Sequence, residues 1–93
     1  MIVGVLTVDV ALFEAQSLKD KRRVLQGFKQ RLRDRFNVSV AEIDYQDAPK
    51  RSRLGIAAVA AGSREAHSVL DKIVELVRQT GGLSLIDYQR ELL

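Results

Sequence analysis

Eight of the fifteen Lys and Arg residues in this 93-residue chain fall within Ser17–Phe36, SLKDKRRVLQGFKQRLRDRF, where only Asp20 and Asp34 oppose them. The stretch carries +6; the seven basic and ten acidic residues elsewhere sum to −3, which gives the net +3 of the chain. Concentrated Lys and Arg side chains neutralise phosphates and release condensed counterions, which is the chemistry of nucleic-acid backbone binding. Lys19, Arg22, Arg23, Lys29 and Arg33 are the candidate contacts, joined by a second basic cluster at Lys50, Arg51 and Arg53. The alternative use of such a run is a solvated face, since excess charge also keeps a small protein dissolved.

Other residues offer less. Asp9 interrupts an apolar N-terminal run, and paired with its copy in a dimer it could hold Mg²⁺ through oxygen ligands, with Glu42, Asp44 and Asp47 adding carboxylates. One strand Asp has no ligand spacing, however, and a salt-bridged or solvent-facing role is the ordinary one, so a Mg²⁺-dependent nuclease ranks third among the readings. His67, the sole histidine, projects from a polar helix side beside Ser63 and Arg64 with nothing nearby to orient it as a base. Ser17 and Ser63 read as helix caps, not nucleophiles. Gly81-Gly82 lacks the following helix and Lys of a phosphate loop. Absence of cysteine excludes disulfides, thiolate nucleophiles and cysteine-ligated zinc. No catalytic or metal-ligating residue is assigned, and the expectation is a non-enzymatic protein with no cofactor and no small-molecule substrate.

The element that must present the basic residues is a helix. Leu18, Val24, Leu25, Phe28, Leu32 and Phe36 recur at spacings of three, four and seven, along one side of a 3.6-residue turn. Ser17 is the expected N-cap, Asp20 completes a capping-box-like pair, and Asn37 is placed to take the left-handed conformation at the exit. At about 100° per residue, Arg22, Lys29 and Arg33 project together with Gln26 on one flank of the apolar stripe, with Lys19 and Arg23 further round. Gly27 on the polar side costs about 1 kcal/mol relative to Ala; it is either tolerated or a point of close backbone approach.

Around that helix the chain alternates strand and helix. Ile2–Phe13 reads as a strand with Ile2, Leu6, Val8, Val10 and Leu12 on one face and Val3, Val5, Thr7, Asp9, Ala11 and Phe13 on the other. Val38–Tyr45 is a second strand whose apolar register changes near Val40-Ala41, where a bulge is expected. Gln46–Arg53, holding the only Pro, reads as a mobile connection. A strand over Leu54–Ala61 follows, then a helix capped at Ser63 with Ala66, Val69, Leu70, Ile73, Leu76 and Val77 buried, stopped at Gly81-Gly82, and a final edge strand over Leu83–Leu92. This order predicts an α+β, ferredoxin-like split βαβ fold (βαββαβ), with a four-stranded antiparallel sheet, the first and third strands central, and two helices on one face. Residues 1–93 form one domain, with 46% apolar and 29% charged residues and no low-complexity tract.

Two helices on one side leave the other sheet face open. Val3, Val5, Ala57 and Val59 there, together with Ala11 and Ala61, form an apolar patch that points to a homodimer or higher homo-oligomer. The third strand has no aromatic and the first only Phe13, so base stacking on the sheet is not expected. Neither a signal peptide nor a membrane helix is read at the N-terminus, and a cytoplasmic location is the default.

The run Ser17-Leu18-Lys19-Asp20-Lys21-Arg22-Arg23-Val24, followed by Arg31-Leu32-Arg33 and Phe36-Asn37-Val38-Ser39-Val40-Ala41-Glu42, resembles the signature of the YlxP-like bacterial family, domain of unknown function 503. The opening MIVGVLTV, the Asp44–Asp47 segment and Leu54-Gly55 fit it too. The resemblance implies a ferredoxin-like fold and, because the family's genes commonly sit beside those for translation initiation and ribosome-maturation factors, a connection with ribosomal RNA or a ribosomal subunit. It supplies no established activity and no catalytic residues.

Overall fold

Alternation along the first apolar run makes a strand, because successive side chains of extended backbone point to opposite sides. In the computed structural model, which describes residues 1–93, this is β1 (Ile2–Ala11). It is followed by α1 (Leu18–Arg35), β2 (Val38–Asp44), β3 (Arg51–Ala60), α2 (Ser63–Gln79) and β4 (Ser84–Leu92). Every pairing is antiparallel and the strand order is β2-β3-β1-β4, so β1 and β3 are central, as the ferredoxin-like reading requires. Leu6, Val8 and Val10 of β1 and Leu54 and Ile56 of β3 meet Leu25, Phe28 and Leu32 of α1 and Leu70, Ile73 and Val77 of α2 in one core, which places both helices on the same side of the sheet.

The local signals at the start of α1 act as read. Ser17 Oγ accepts from the Asp20 N–H at 3.1 Å, and Asp20 Oδ2 accepts from the Gln16 N–H at 3.0 Å. At the far end, Phe36 closes the helix in extended conformation, its N–H donating to Leu32 O at 2.9 Å. Asn37 is not left-handed; the one non-glycine residue at positive φ is Tyr45. Ser63 is the first residue of α2, not its cap. Gly62 takes the cap position, where the Glu65 carboxylate fills the space that a Cβ would need.

Three strand boundaries also differ from the sequence reading. The bulge lies between Glu42 and Asp44, because Val38, Val40 and Glu42 keep one alternation and Ile43 is the residue displaced to the open face, beside Gly55. The connection after β2 is shorter than Gln46–Arg53: Arg51, Ser52 and Arg53 belong to β3, with Ser52 fully buried toward the helices and the two arginines alternating outward. β1 stops at Ala11, so Phe13 leaves the sheet and is 71% exposed, and Ala11, expected on the open face, is buried opposite Arg51. Ala61 lies beyond the end of β3.

Gly82 has φ +87°, a left-handed conformation that L side chains rarely adopt, and a Cβ there would lie 3.2 Å from Val24 Cγ1 of α1. Gly81 has open space around it. Gly82→Ala is expected to destabilise the protein by about 1–2 kcal/mol, and Gly81→Ala to change stability by less than about 0.5 kcal/mol, as read by urea denaturation.

Candidate nucleic-acid interface

The apolar stripe of α1 packs against the sheet and α2, which turns the opposite side of the helix to water. Lys19, Arg22, Arg23 and Arg33 are exposed there, as are Arg31 and Arg35, and Lys29 is half-buried. None of these seven makes an ion pair: the pairs in the structure are Lys21–Glu42, Arg53 with Asp9 and with Asp44, Arg78–Glu75, and Arg90–Asp71. Seven free cations less Asp20 and Asp34 leave α1 with a surface charge of +5. Asp34 is drawn aside by a 2.9 Å hydrogen bond from Gln30 Nε2 and neutralises no arginine.

Lys21, the eighth basic residue, is used in a way the sequence reading missed. It is 1% exposed. Its ammonium donates to Tyr45 O at 2.6 Å and Ala48 O at 2.8 Å, and lies 2.8 Å from Glu42 Oε2. Three donors meet three acceptors, which is the condition that makes a buried lysine charge tolerable. Ser52 Oγ, also buried, donates to the same Glu42 oxygen at 2.6 Å. The signal was in the spacing: Lys21 falls four residues before Leu25 and seven before Phe28, on the apolar stripe itself.

The second basic cluster also makes contacts within the protein, although only Arg53 of the three has a carboxylate partner, and it lies away from α1. Lys50 Nζ donates to Phe13 O at 2.7 Å. The Arg51 guanidinium stacks over the Tyr45 ring at 4.8 Å and Arg53 lies over the same ring at 5.4 Å, while the buried Arg51 Nε has no hydrogen-bond partner. Arg53 donates Nε to Asp9 Oδ1 at 2.6 Å and Nη2 to Asp9 Oδ2 at 3.2 Å, with Nη1 reaching Asp44 Oδ2 at 3.2 Å. Arg51 and Arg53 point to the open side of the sheet, so the structure does not join them to the helix ridge.

Asp9 therefore sits in a two-pronged pair. The hydrogen bonds from Arg53 hold its carboxyl below the ordinary value of 3.8, against an opposing effect of burial and with help from the charges of Arg53 and Arg51; the same pair raises Arg53 further. A shallow depression of about 380 Å³ beside it is lined by Thr7, Asp9, Ile43, Arg53, Asp87, Tyr88 and Gln89. Glu42 faces the helices with Lys21, so it and Asp9 do not share a site, and no group of three or more Asp, Glu or His side chains comes together to hold a metal. Next along this open face, Val3, Val5 and Ala57 are half-buried and Val59 is 65% exposed, with Val3 directly opposite Val59 and Val5 opposite Ala57. His67 Nδ1 lies 3.2 Å from Arg90 Nη1, on the exposed side of α2.

Residues 3–90 match the family model described as protein of unknown function, DUF503. The chain belongs to this family. Its relative in Bacillus subtilis (strain 168), the uncharacterized protein YlxP, is 34% identical over 76 residues, covering 82% of this chain and 83% of that protein. Among solved structures, a de novo designed protein with ferredoxin fold aligns over 99% of this chain and 85% of its own, at 14% identity and a TM-score of 0.41. No helix of this family member is long and apolar enough to cross a membrane.

Removing one partner of the buried pair leaves the others desolvated and unpaired, so Lys21→Ala is expected to cost about 3–5 kcal/mol in urea denaturation. Lys21→Met, which keeps the packed stem, should recover only a minor part of the loss, while Arg22→Ala should stay within about 0.5 kcal/mol of the parent. The Asp9 pair has a defined acid limb. With the folded value depressed, its stabilisation is fully present above the unfolded carboxyl value of about 4 and is lost as pH falls through the folded value. The stability difference between the parent and Asp9→Asn should therefore shrink as pH is lowered from about 5 to about 2.

Proposed function

We propose that this protein is a non-enzymatic RNA-binding module that takes the phosphate backbone of ribosomal RNA, free or within a ribosomal subunit, on the exposed ridge of α1. The observation that carries this reading is the absence of any carboxylate partner for Lys19, Arg22, Arg23, Lys29 and Arg33. Ten acidic residues lie outside α1, yet those that pair do so with Lys21, Arg53, Arg78 and Arg90 and leave the ridge unneutralised. Unpaired like charges within one helix repel and are destabilising by tenths of a kcal/mol per pair, so a ridge of this kind gains most when an anion covers it. Lys50, Arg51 and Arg53 hold the β2–β3 turn and the sheet in this reading and contact no RNA. The ribosomal assignment draws on the translation-operon setting that the family resemblance implies.

A second reading rests on Val59. A β-branched residue 65% exposed in a central strand, next to half-buried Val3, Val5 and Ala57, supports a homo-oligomer formed through the open sheet face. The two readings use opposite sides of the molecule and are compatible. Sedimentation at tens of micromolar is expected to give a mass above that of the monomer and to give the monomer mass for Val59→Asp; a monomeric parent overturns this reading.

Binding to ribosomal RNA fragments or 30S particles should weaken steeply with salt, since each neutralised phosphate adds to the slope of log K against log salt. Charge reversal at Arg22, Arg23, Lys29 and Arg33 is expected to abolish binding and to leave the fold unchanged by circular dichroism. Binding at low salt that survives the reversal, or no binding at low salt, overturns the RNA reading.

A further inference from the structure

The exposed ridge of α1 is divided. Lys19, Arg22 and Arg23 form one cationic group and Lys29 and Arg33 a second, their centres about ten residues and so about 15 Å apart along the axis. Between them lie Gln26 and Gly27, and one turn on, inside the second group, lies Gln30, which donates to Asp34; none of the three carries a charge. With Lys29 and Arg33 they line an open depression of about 570 Å³ that has no hydrophobic residue in its walls. Gly27 has no folding role in view: it is not at a positive φ, and beyond its chain neighbours and the backbone of its own helix no atom lies within 4 Å of where its Cβ would be. A helix-weakening residue at an exposed interior position, with no gain inside the protein, marks a place where something from outside comes close to the backbone. The amides beside it are available. The Gln26 side chain makes no hydrogen bond within the protein, and Gln30 uses only its Nε2, on Asp34, leaving its carbonyl oxygen free.

We propose that α1 lies across the minor groove of an A-form RNA duplex, with the two cationic groups on the phosphates of the two flanking strands and the Gln26-Gly27-Gln30 waist against the 2′-hydroxyls between them. This deepens the proposed function and rests on it. The minor groove of A-form RNA is wide and shallow and displays 2′-hydroxyls, groups that both donate and accept, as glutamine amides do. The minor groove of B-DNA, about 6 Å wide, is too narrow for a helix about 10–12 Å across. An open, uncharged waist flanked by two cationic groups matches a shallow groove with charged rims.

The test is fluorescence anisotropy with a blunt RNA duplex, the DNA duplex of the same sequence and the single RNA strand, using the parent, Gly27→Ala, Gly27→Leu, Gln26→Ala/Gln30→Ala and Arg22→Glu/Arg23→Glu. The RNA duplex is expected to bind about tenfold or more tightly than either other probe. Gly27→Leu should weaken RNA-duplex binding about tenfold while melting at or above the parent temperature, with Gly27→Ala raising the melting temperature and weakening binding less. The double glutamine variant should lose the preference for RNA over DNA, whereas Arg22→Glu/Arg23→Glu should weaken both. Equal affinity for RNA and DNA duplexes, tighter binding of the single strand, or an unchanged Gly27→Leu overturns the groove assignment, and continued sensitivity to Arg22→Glu/Arg23→Glu would leave general RNA binding standing. No binding of any RNA at low salt overturns the proposed function, and the groove assignment with it.

Discussion

The ammonium of Lys21 must be satisfied without water, and much of the polar architecture follows from that demand. Its acceptors come from β2, through Glu42, and from the turn after it, through the carbonyls of Tyr45 and Ala48. Bringing two carbonyls of one short turn onto one nitrogen bends the chain sharply, and Tyr45 sits at φ +62°, a conformation costly for a bulky side chain. The Asp44 carboxylate secures that bend by accepting the Tyr45 N–H at 2.7 Å. The bulge beside Glu42 belongs to the same adjustment, since Glu42 has to remain on the helix side while Asp44 reaches Arg53 on the other. One buried cation thus ties α1 to the β2–β3 end of the sheet, where hydrophobic contact alone would leave the turn without a fixed geometry.

From this follows a separation of charge between the two sides of the sheet. On the open side the cations are consumed: Tyr45, held in its bend, offers its ring to Arg51 and Arg53, and Arg53 in turn binds Asp9 and Asp44. On the helix side every cation of α1 except Lys21 is left to water. The net charge of +3 therefore understates the field at the ridge, where +5 is gathered on one helix and the balancing acids lie elsewhere in the chain. Clustering of one sign raises the local concentration of anions well beyond what the same charge spread evenly would do. The open sheet face is the opposite kind of surface, apolar at the Val59 end and internally neutralised at the Asp9–Arg53 end. The molecule presents two sides of different chemistry, one cationic and unpaired, the other apolar at one end and internally paired at the other.

Much of this was legible in the order of residues because it depends on near neighbours. Element order, the capping pair of Ser17 and Asp20, the stop at Gly81-Gly82 and the apolar stripes of both helices are set by interactions over a few residues, and they stand in the structure as read. Topology followed too, since a βαββαβ order with right-handed crossovers leaves few alternatives. The charge on α1 and its exposure were visible for the same reason: a 3.6-residue period assigns sides without reference to the rest of the chain. What the sequence alone determined, then, was a ferredoxin-like fold with a cationic helix on its surface.

Tertiary structure decided which cations were free. Lys21 falls on the apolar stripe and Lys19 does not, but it is the acceptors on Glu42, Tyr45 and Ala48, distant along the chain, that make Lys21 a buried anchor. Lys50, Arg51 and Arg53 read as a loose basic cluster until β3 pairs with β1 and brings Asp9, 44 residues from Arg53, into reach. The bulge moved from Val40-Ala41 to the far side of Glu42 because that carboxylate is needed on the helix side, a need no pattern of hydrophobicity expresses. Charge is a property of a residue, but its availability depends on who stands opposite, and that is settled by contacts distant along the chain.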